Sequence, residues 1–315
     1  MSGDVPYPVT VLRIPNPFFE GRNRVYVIHS DPVTVIDTGI ATERAQSELR
    51  QALTDHDVSV ADIGRIVLTH KHIDHIGSAW WIQQESSAEI LVHKSEAVAI
   101  SDVDPEGHRW HSVIRDRLPT WGVPDAARPS PDTATGISWA IESAHPTPVS
   151  GGDSIDLGGA VLEVIHTPGH TKGSICLKYG SKLFSGDHIL PDISPNIGGG
   201  DLTHSGLLAD FLTSLRLCRE IASEIDEVFP GHGDPFSTLA ERSRQLQCHH
   251  EERLDQVTDI LNRKGPQTVY SIAQNLFGDL RDMHVVLGCA EAQAHLEFLV
   301  DKGLAVTNAN TYAVG

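Results

Sequence analysis

Cysteine is scarce in this sequence, and the few cysteines are not clustered. The four residues Cys176, Cys218, Cys248 and Cys289 are far apart, and no CxxC spacing occurs among the 315 residues. Disulfide frameworks and zinc ribbons both depend on closely spaced or regularly paired cysteines. We therefore expect free thiols in a reducing compartment.

Long apolar runs are also missing. No stretch approaches the roughly 18 consecutive apolar residues of a membrane-spanning helix. The first residues, MSGDVPYPVTVLRIPNPFF, lack the basic segment followed by an apolar segment that marks a secretory signal. These absences predict a cytoplasmic protein with no membrane partner.

Basic residues are few relative to acidic ones. The chain has 24 Lys and Arg against 42 Asp and Glu, which gives a formal net charge of −18. A surface this acidic repels phosphate backbones, so nucleic acid is disfavoured as a partner. The hydrophobic content of 40% is that of an ordinary globular protein, of one large domain or one domain with an appendage.

Histidine, by contrast, is abundant, with 18 residues, and it is concentrated in one short segment. The segment LTHKHIDHIG at 68–77 follows a predicted strand and contains His70, His72, Asp74 and His75. On a tight turn between a strand and a helix, His70 and His72 can converge on one metal ion. Asp74 and His75 then point toward a second position beside it.

Three further candidate ligands each follow a predicted strand. They are His170 in TPGHT, Asp187 in SGD and His232 in PGHG. A lone histidine or aspartate after a strand is usually a satisfied polar residue. Because each of these three segments ends a strand and presents one ligand, together they strengthen the prediction of a metal site.

With Asp37 in the segment IDTG, these motifs stand in the order typical of the metallo-β-lactamase superfamily of hydrolases, which the chain resembles from about 9 to 235. The resemblance implies an α/β fold, a four-layer αββα sandwich with metals at one edge between two sheets. It also implies that Asp37 supports the ligand loops. The implied ligands are His70, His72 and His170 for a first metal, Asp74, His75 and His232 for a second, and Asp187 as the bridge.

The chemistry implied by this ligand set is hydrolysis. Two divalent ions, with zinc favoured and iron or manganese also compatible, would share a hydroxide that attacks a substrate carbonyl. One ion would stabilise the developing oxyanion, so no serine or cysteine nucleophile is needed. Asp74 is predicted to be the catalytic residue, orienting the hydroxide and then carrying a proton.

The domain prediction has two parts. Residues 1–238 form the catalytic domain, in which 102–147, rich in proline and containing Trp110, Trp121 and Trp139, is a helical cap insertion over the metals. Residues 239–315 are helical and end in a helix, helix, hairpin pattern, the outline of a small winged-helix domain. Its second helix is acidic, which favours packing or a homodimer over binding to phosphates.

The overall likeness is to the β-lactamase-like protein 2 group, whose members combine the sandwich with a C-terminal winged helix. Leu190 stands where lactonases of the superfamily usually have a tyrosine, which disfavours a lactonase. His72 stands where flavodiiron reductases have a glutamate, which disfavours an oxygen-reducing di-iron site. The resemblance, with the acidic charge, predicts hydrolysis of an acyl ester or thioester of a small molecule. Two alternatives remain: a metal-dependent endoribonuclease, and a non-enzymatic, metal-bound regulator acting through the winged helix.

Overall fold

A six-stranded sheet comes first in the chain. The computed structural model describes residues 5–18, 21–102, 108–129, 143–199 and 201–315. The strands, which lie side by side in chain order, are β1 (Val9–Ile14), β2 (Asn23–Ile28), β3 (Val33–Ile36), β4 (Ile63–Leu68), β5 (Glu89–His93) and β6 (Pro146–Val149). The pairs β1 with β2 and β2 with β3 are antiparallel, and the remaining pairs are parallel. The helices of this part are α1 (Glu43–Thr54), α2 (Ile73–Ile76), α3 (Ala79–Ser86), α4 (Ala97–Ser101) and α5 (His108–Thr120).

A five-stranded sheet follows. Its strands are β7 (Ser154–Asp156), β8 (Val161–His166), β9 (Ile175–Tyr179), β10 (Lys182–Gly186) and β11 (Glu227–Pro230), in the order β11, β10, β9, β8, β7. Helix α6 (Leu207–Glu220) lies in the connection between β10 and β11. These two strands are parallel, which requires such a crossover, whereas the other neighbours are antiparallel.

Alternation of side chains along the strands builds the layers. In β4, Ile66 and Leu68 pack in the cluster that contains α1 and α3, whereas Val67 packs between the two sheets. In β10, Leu183 packs in the cluster that contains α6, and Phe184 packs between the sheets. Because successive side chains of a strand point to opposite faces, each sheet is covered on both sides. The predicted αββα order of layers is confirmed.

The chain ends in three helices and a hairpin: α7 (Leu239–Lys264), α8 (Val269–Phe277), α9 (Met283–Asp301), β12 (Ala305–Asn308) and β13 (Thr311–Val314). Leu239 and Leu246 of α7 pack beneath the second sheet, whereas Val257 and Ile260 pack with α8 and α9. Because α7 contributes to both cores, the boundary at 238 stays a prediction. The assignment of the last elements as a winged helix also stays a prediction.

Helix α9, which would be the recognition helix of a winged helix, is buried around its whole circumference. Its buried residues are Val285, Val286, Gly288, Cys289, Ala290, Glu291, Ala292, Ala294, His295, Leu296 and Leu299. At 100° per residue these positions cover every side of the helix. The middle of α9 therefore has no free face to enter a nucleic acid groove.

The described part of the predicted cap packs against the C-terminal helices. Ile114, Leu118 and Trp121 are buried in one cluster with residues of α7, α8 and α9, and Trp110 packs against that cluster. Trp139 lies outside the described residues. Whether the segment also covers the metal edge stays a prediction.

Among the described residues, no helix has both the length and the apolar composition that crossing a bilayer requires.

Candidate metal centre

All seven predicted ligands meet at one edge of the sandwich. The segment with His70 and His72 follows β4, His170 follows β8, Asp187 follows β10 and His232 follows β11. Since β4 belongs to the first sheet and the other three strands to the second, the site lies where the two sheets face each other. Their ligand atoms form three overlapping groups, in each of which all atoms lie within 4.8 Å of one another.

Three histidine rings form the first of these groups, which we call the histidine trio: His70, His72 and His170. The Nδ1 atom of His72 lies 3.0 Å from Nε2 of His70 and 2.9 Å from Nε2 of His170. Ring nitrogens at this spacing are close enough to share one ion at about 2.1 Å from each.

Hydrogen bonds on the far side of two of these rings determine their tautomers. The Nδ1–H of His170 donates to the carbonyl oxygen of Asn196 over 2.8 Å, since a carbonyl can only accept. The Nδ1 of His70 lies 3.0 Å from the hydroxyl of Thr69, which in turn donates to Asp37 over 2.8 Å. Both rings therefore direct an Nε2 lone pair toward His72, as in metal sites whose outer hydrogen bonds orient the ligands.

A second group contains one carboxylate and two rings. Asp74 Oδ2 lies 3.5 Å from His75 Nε2 and 3.3 Å from His232 Nε2, and the two ring nitrogens are 3.3 Å apart. Asp187 lies between this group and the trio. Its Oδ1 is 3.5 Å from His75 Nε2, and its Oδ2 is 3.5 Å from His232 Nε2 and 3.8 Å from His170 Nε2.

Asp37 connects the loops that carry these groups. Its Oδ2 accepts from His75 Nδ1 and from the Thr69 hydroxyl, both over 2.8 Å, and its Oδ1 accepts from the Thr69 amide over 2.8 Å. The Nδ1–H of His75 is thereby committed to a carboxylate, and Nε2 is the ring atom that faces Asp187. Asp37 adopts a φ of 58°, an unusual backbone conformation for a residue with a side chain.

The sequence reasoning missed two asparagines that hold Asp74. The side-chain amides of Asn16 and Asn23 donate to Asp74 Oδ2 over 2.9 and 3.1 Å. They come from β2 and the loop before it, and neither lies in a recognisable motif. Two amide donors on one carboxylate oxygen orient that carboxylate and stabilise its ionised form.

A glycine keeps the centre of the site open. A Cβ atom at Gly231 would lie 2.2 Å from Asp187 Oδ1 and 2.8 Å from His75 Cε1. Any side chain at this position would displace one of the two candidate ligands. The signal for this constraint was present in the segment PGHG, but the sequence does not show which atoms the glycine faces.

The two parts of the site differ in charge. Burial, with the charge of His170 as a further cause, lowers the pKa of His72 to about 3. Burial also lowers the pKa of His70 and of His170, so the trio favours neutral rings, the form that binds metals. Burial opposes a charge on His232 as well, but the carboxylates of Asp187 and Asp74 raise the pKa of that ring to about 9. The ionised carboxylates of the site thus lie beside the trio, paired with rings that favour the charged form.

The residues present fit divalent metal ions. All the donors are imidazole nitrogens or carboxylate oxygens, which suit zinc, iron and manganese. Asp187 Oδ1 is buried and accepts no hydrogen bond from any residue that the structure describes. Asp74, His170 and Asp187 each retain 7% exposure, whereas His75 has none, so the site opens on the side of the first three.

Other polar residues near Asp187 have structural contacts. His188 is buried and packs edge-on against Phe211, with ring centroids 5.0 Å apart. His204 contacts Asp201 over 2.6 Å, and the same carboxylate contacts Lys71 Nζ over 2.9 Å. Asp201 thus connects a loop of the second half to the segment between His70 and His72.

Comparison with known proteins agrees with this geometry. A family model described as the metallo-beta-lactamase superfamily matches residues 19–232. The probable metallo-hydrolase YqjP of Bacillus subtilis is 29% identical over 301 residues, 92% of each chain. Human acyl-coenzyme A thioesterase MBLAC2 is 29% identical over 259 residues, 74% of this chain and 81% of that protein. The crystal structure of a metallo-beta-lactamase family protein from Thermus thermophilus, TTHA1429, superposes with a TM-score of 0.84 at 24% identity over 98% of each chain, a likeness of fold.

Proposed function

The chain belongs to the metallo-β-lactamase superfamily, and from this membership we propose that it is a metal-dependent hydrolase that cleaves acyl thioesters of small molecules. One observation carries the proposal. The Nε2 lone pairs of His70 and His170 both point toward His72. Asp187 lies between this trio and the second group of candidate ligands, within 3.8 Å of a ring in each.

We assign the ligands as two sets. His70, His72 and His170 would hold one divalent ion, Asp74, His75 and His232 would hold a second, and Asp187 would contact both. When bound, such ions lower the pKa of water toward about 7 and polarise the substrate carbonyl. The metal identity is part of the proposal only as a preference for zinc, because nitrogen and oxygen donors also suit iron and manganese.

The role we assign to Asp74 is to hold an ion and to transfer a proton. In thioester hydrolysis a water oxygen becomes bonded to the acyl carbon, the carbon–sulfur bond breaks, and the sulfur leaves as a thiol after gaining a proton. Asn16 and Asn23 hold the Asp74 carboxylate in one orientation, and its residual exposure lies on the open side of the site. A carboxylate so placed is within reach of a substrate entering from that side.

Thioesters are favoured over other substrates by two observations. A relative that aligns with 74% of this chain is named an acyl-coenzyme A thioesterase. The net charge of −18 disfavours RNA, the substrate of the alternative endoribonuclease. The burial of α9 argues against a regulator that acts by inserting this helix into nucleic acid.

The test is a substrate panel on protein of known metal content. Purified protein would be loaded with Zn²⁺, Mn²⁺ or Fe²⁺ and assayed with acyl-coenzyme A thioesters of several chain lengths, simple esters and single-stranded RNA. We expect thioester turnover that chelation abolishes and metal restores. Cleavage of RNA without thioester turnover would replace the proposal with the endoribonuclease, and metal binding without any turnover would favour the regulator.

A further inference from the structure

We propose that Glu291, on the C-terminal helix α9, is a positioning residue for the metal ligand His170, so that the C-terminal helices are a working part of the metal centre. The inference rests on the metal-binding role proposed above for His170. It assigns a function to a region that carries none of the ligands.

A continuous set of hydrogen bonds connects the two residues. Glu291 Oε2 accepts from the backbone amide of Ile197 over 2.8 Å and from the side-chain amide of Asn196 over 3.2 Å. The carbonyl oxygen of Asn196 accepts the Nδ1–H of His170 over 2.8 Å. Glu291 therefore binds the backbone amide that follows this carbonyl group and the side chain of the residue that carries it, and the carbonyl group determines the tautomer and direction of the His170 ring.

A second bond to α9 holds Asn196 itself. The loop leaves β10, passes through Asn196 and turns at Gly198, whose φ is 92°. The side-chain amide of Asn196 also donates to the carbonyl oxygen of Leu287 on α9 over 3.3 Å, and its Oδ1 accepts from a backbone amide within the loop. Arg242 of α7 holds the loop further upstream, at two carbonyl groups before Asn196. The side-chain bonds that leave the loop at Asn196 and Ile197 thus end on α9, about 100 residues away in the chain.

The anchoring does not require a full negative charge. Burial raises the pKa of Glu291 to about 7, so the group is partly protonated near neutral pH. An uncharged carbonyl oxygen at the same place can accept the same two bonds. The variant Glu291→Gln keeps such a carbonyl oxygen but removes the charge. It therefore distinguishes positioning by hydrogen bonds from electrostatic attraction.

The experiment measures metal affinity in the full chain without substrate. Wild type, Glu291→Ala, Glu291→Gln and the control Glu297→Ala would be titrated with Zn²⁺ against a chromophoric chelator. Glu297 lies on the same helix and also accepts from a loop amide, that of Gly206 over 3.2 Å. Gly206 is the N-cap residue of α6, at the far end of the loop from Asp187, and this bond does not involve the carbonyl group that His170 contacts. Loss of an outer hydrogen bond typically weakens metal binding about 10- to 100-fold. We expect that loss for one ion in Glu291→Ala, and changes below about 3-fold in the other two variants.

Thermal unfolding of the metal-free proteins would show whether each variant is folded. If Glu291→Ala does not fold, Asn196→Ala removes the side-chain bonds of Asn196 but keeps the bond from the Ile197 amide to Glu291, so it should show an intermediate loss of affinity. Proton NMR of a Co²⁺-loaded sample provides a second readout. The Nδ1 proton of His170 should exchange with solvent faster when the anchor is removed.

Wild-type affinity for both ions in folded Glu291→Ala and in Asn196→Ala would overturn the inference. An equal loss in Glu297→Ala would also overturn it, because it would indicate a general effect of α9. Failure of the wild type to bind metal would instead refute the proposed site itself. Absence of thioester turnover in metal-loaded wild type would refute only the proposed substrate.

Discussion

Two histidine clusters among the described residues have nearly the same spacing but different chemistry. In the trio, His72 Nδ1 lies 2.9 and 3.0 Å from its neighbours. In the C-terminal triad, which consists of His250, Glu291 and His295, the Nδ1 of His250 lies 3.1 Å from Nε2 of His295. Spacing alone would therefore make both clusters candidate metal sites.

The surroundings of the rings separate the two clusters. In the triad, His295 Nδ1 donates to the carbonyl oxygen of Glu291 over 2.7 Å, so its Nε2 accepts and His250 Nδ1 donates. A hydrogen atom thus fills the gap between the two rings. In the trio, the outer acceptors take the hydrogen atoms of two rings, and lone pairs point inward. The placement of acceptors outside a cluster decides which clusters can bind metal.

Charge reinforces the difference. Burial lowers the pKa of His250 to about 2 and that of His295 to about 4, while it raises the pKa of Glu291 to about 7. The two rings of the triad are therefore neutral near pH 7, and their carboxyl neighbour is only partly ionised. The metal edge instead combines the trio, whose rings have lowered pKa values, with the buried carboxyl groups of Asp74 and Asp187.

The largest effect is expected at the bridge. Asp187→Ala should remove at least one ion per chain and lower turnover by more than the roughly 10⁴-fold attributed to a single acid–base group, because both ligand sets lose a donor. Elemental analysis and thioester kinetics would measure this. The exposed Asp192, five residues on in the same loop, provides the control Asp192→Ala. Unchanged metal content in Asp187→Ala would contradict the assignment.

A smaller effect is expected at the proton carrier. Asp74→Asn keeps the shape of the side chain but removes its charge and basicity, so turnover should fall about 10²- to 10⁴-fold, with a much smaller change in KM. The comparison must use protein with both ions bound, verified by elemental analysis. A wild-type turnover number in the fully loaded variant would remove proton transfer from the role of Asp74.

A further effect on metal binding is expected at Gly231, which lies beside Asp187. Gly231→Ala should weaken metal binding about 10- to 100-fold, since the new methyl group would overlap Asp187 Oδ1 and turn the carboxylate away. Chelator competition would measure the affinity, and thermal unfolding of the metal-free protein would report any general damage. Normal affinity would mean that the strand end shifts to accommodate the methyl group.

Breaking the triad should affect stability and not metal content. His250→Leu removes the donor to His295 Nε2 and leaves a buried acceptor without it, at a cost of about 1–3 kcal/mol in the free energy of unfolding. Urea unfolding and elemental analysis would be measured on the same samples. Loss of a metal ion in this variant would show that the triad itself binds metal, which would contradict the difference between the trio and the triad.

The smallest effect is expected from salt. If the substrate is a small thioester, turnover should change no more than a few-fold between about 50 and 200 mM salt, an interval over which proteins that contact many phosphates lose orders of magnitude in affinity. The measurement is a salt titration of the metal-loaded enzyme. Chelator-sensitive RNA cleavage that collapses with salt would instead support the endoribonuclease.

Much of the architecture could be predicted from local patterns. The β-branched run at 9–14 predicts a strand, which the structure has with the same bounds. The amphipathic pattern at 239–263 predicts one long helix or a broken pair, and the structure has a single helix that ends one residue later. Helix α6 was missed, although Leu208, Phe211 and Leu215 have helical spacing. The pattern at 77–84 predicts a helix that the structure places two residues later, as α3, with the short helix α2 before it. Gly77 lies between the two helices, and a Cβ there would lie 2.5 Å from the Ala41 amide nitrogen.

The seven candidate ligands and their order can be predicted from the chain, because each stands in a short motif at the end of a strand. Which ring atoms face inward, and which groups hold them, depends on tertiary packing. Asn16 and Asn23 lie 58 and 51 residues from Asp74, and Glu291 lies 94 residues from the Ile197 amide that it anchors. An amide or carboxylate that acts across such a distance has no local signature, since its role depends on the packing of sheets and helices that brings it to a ligand loop.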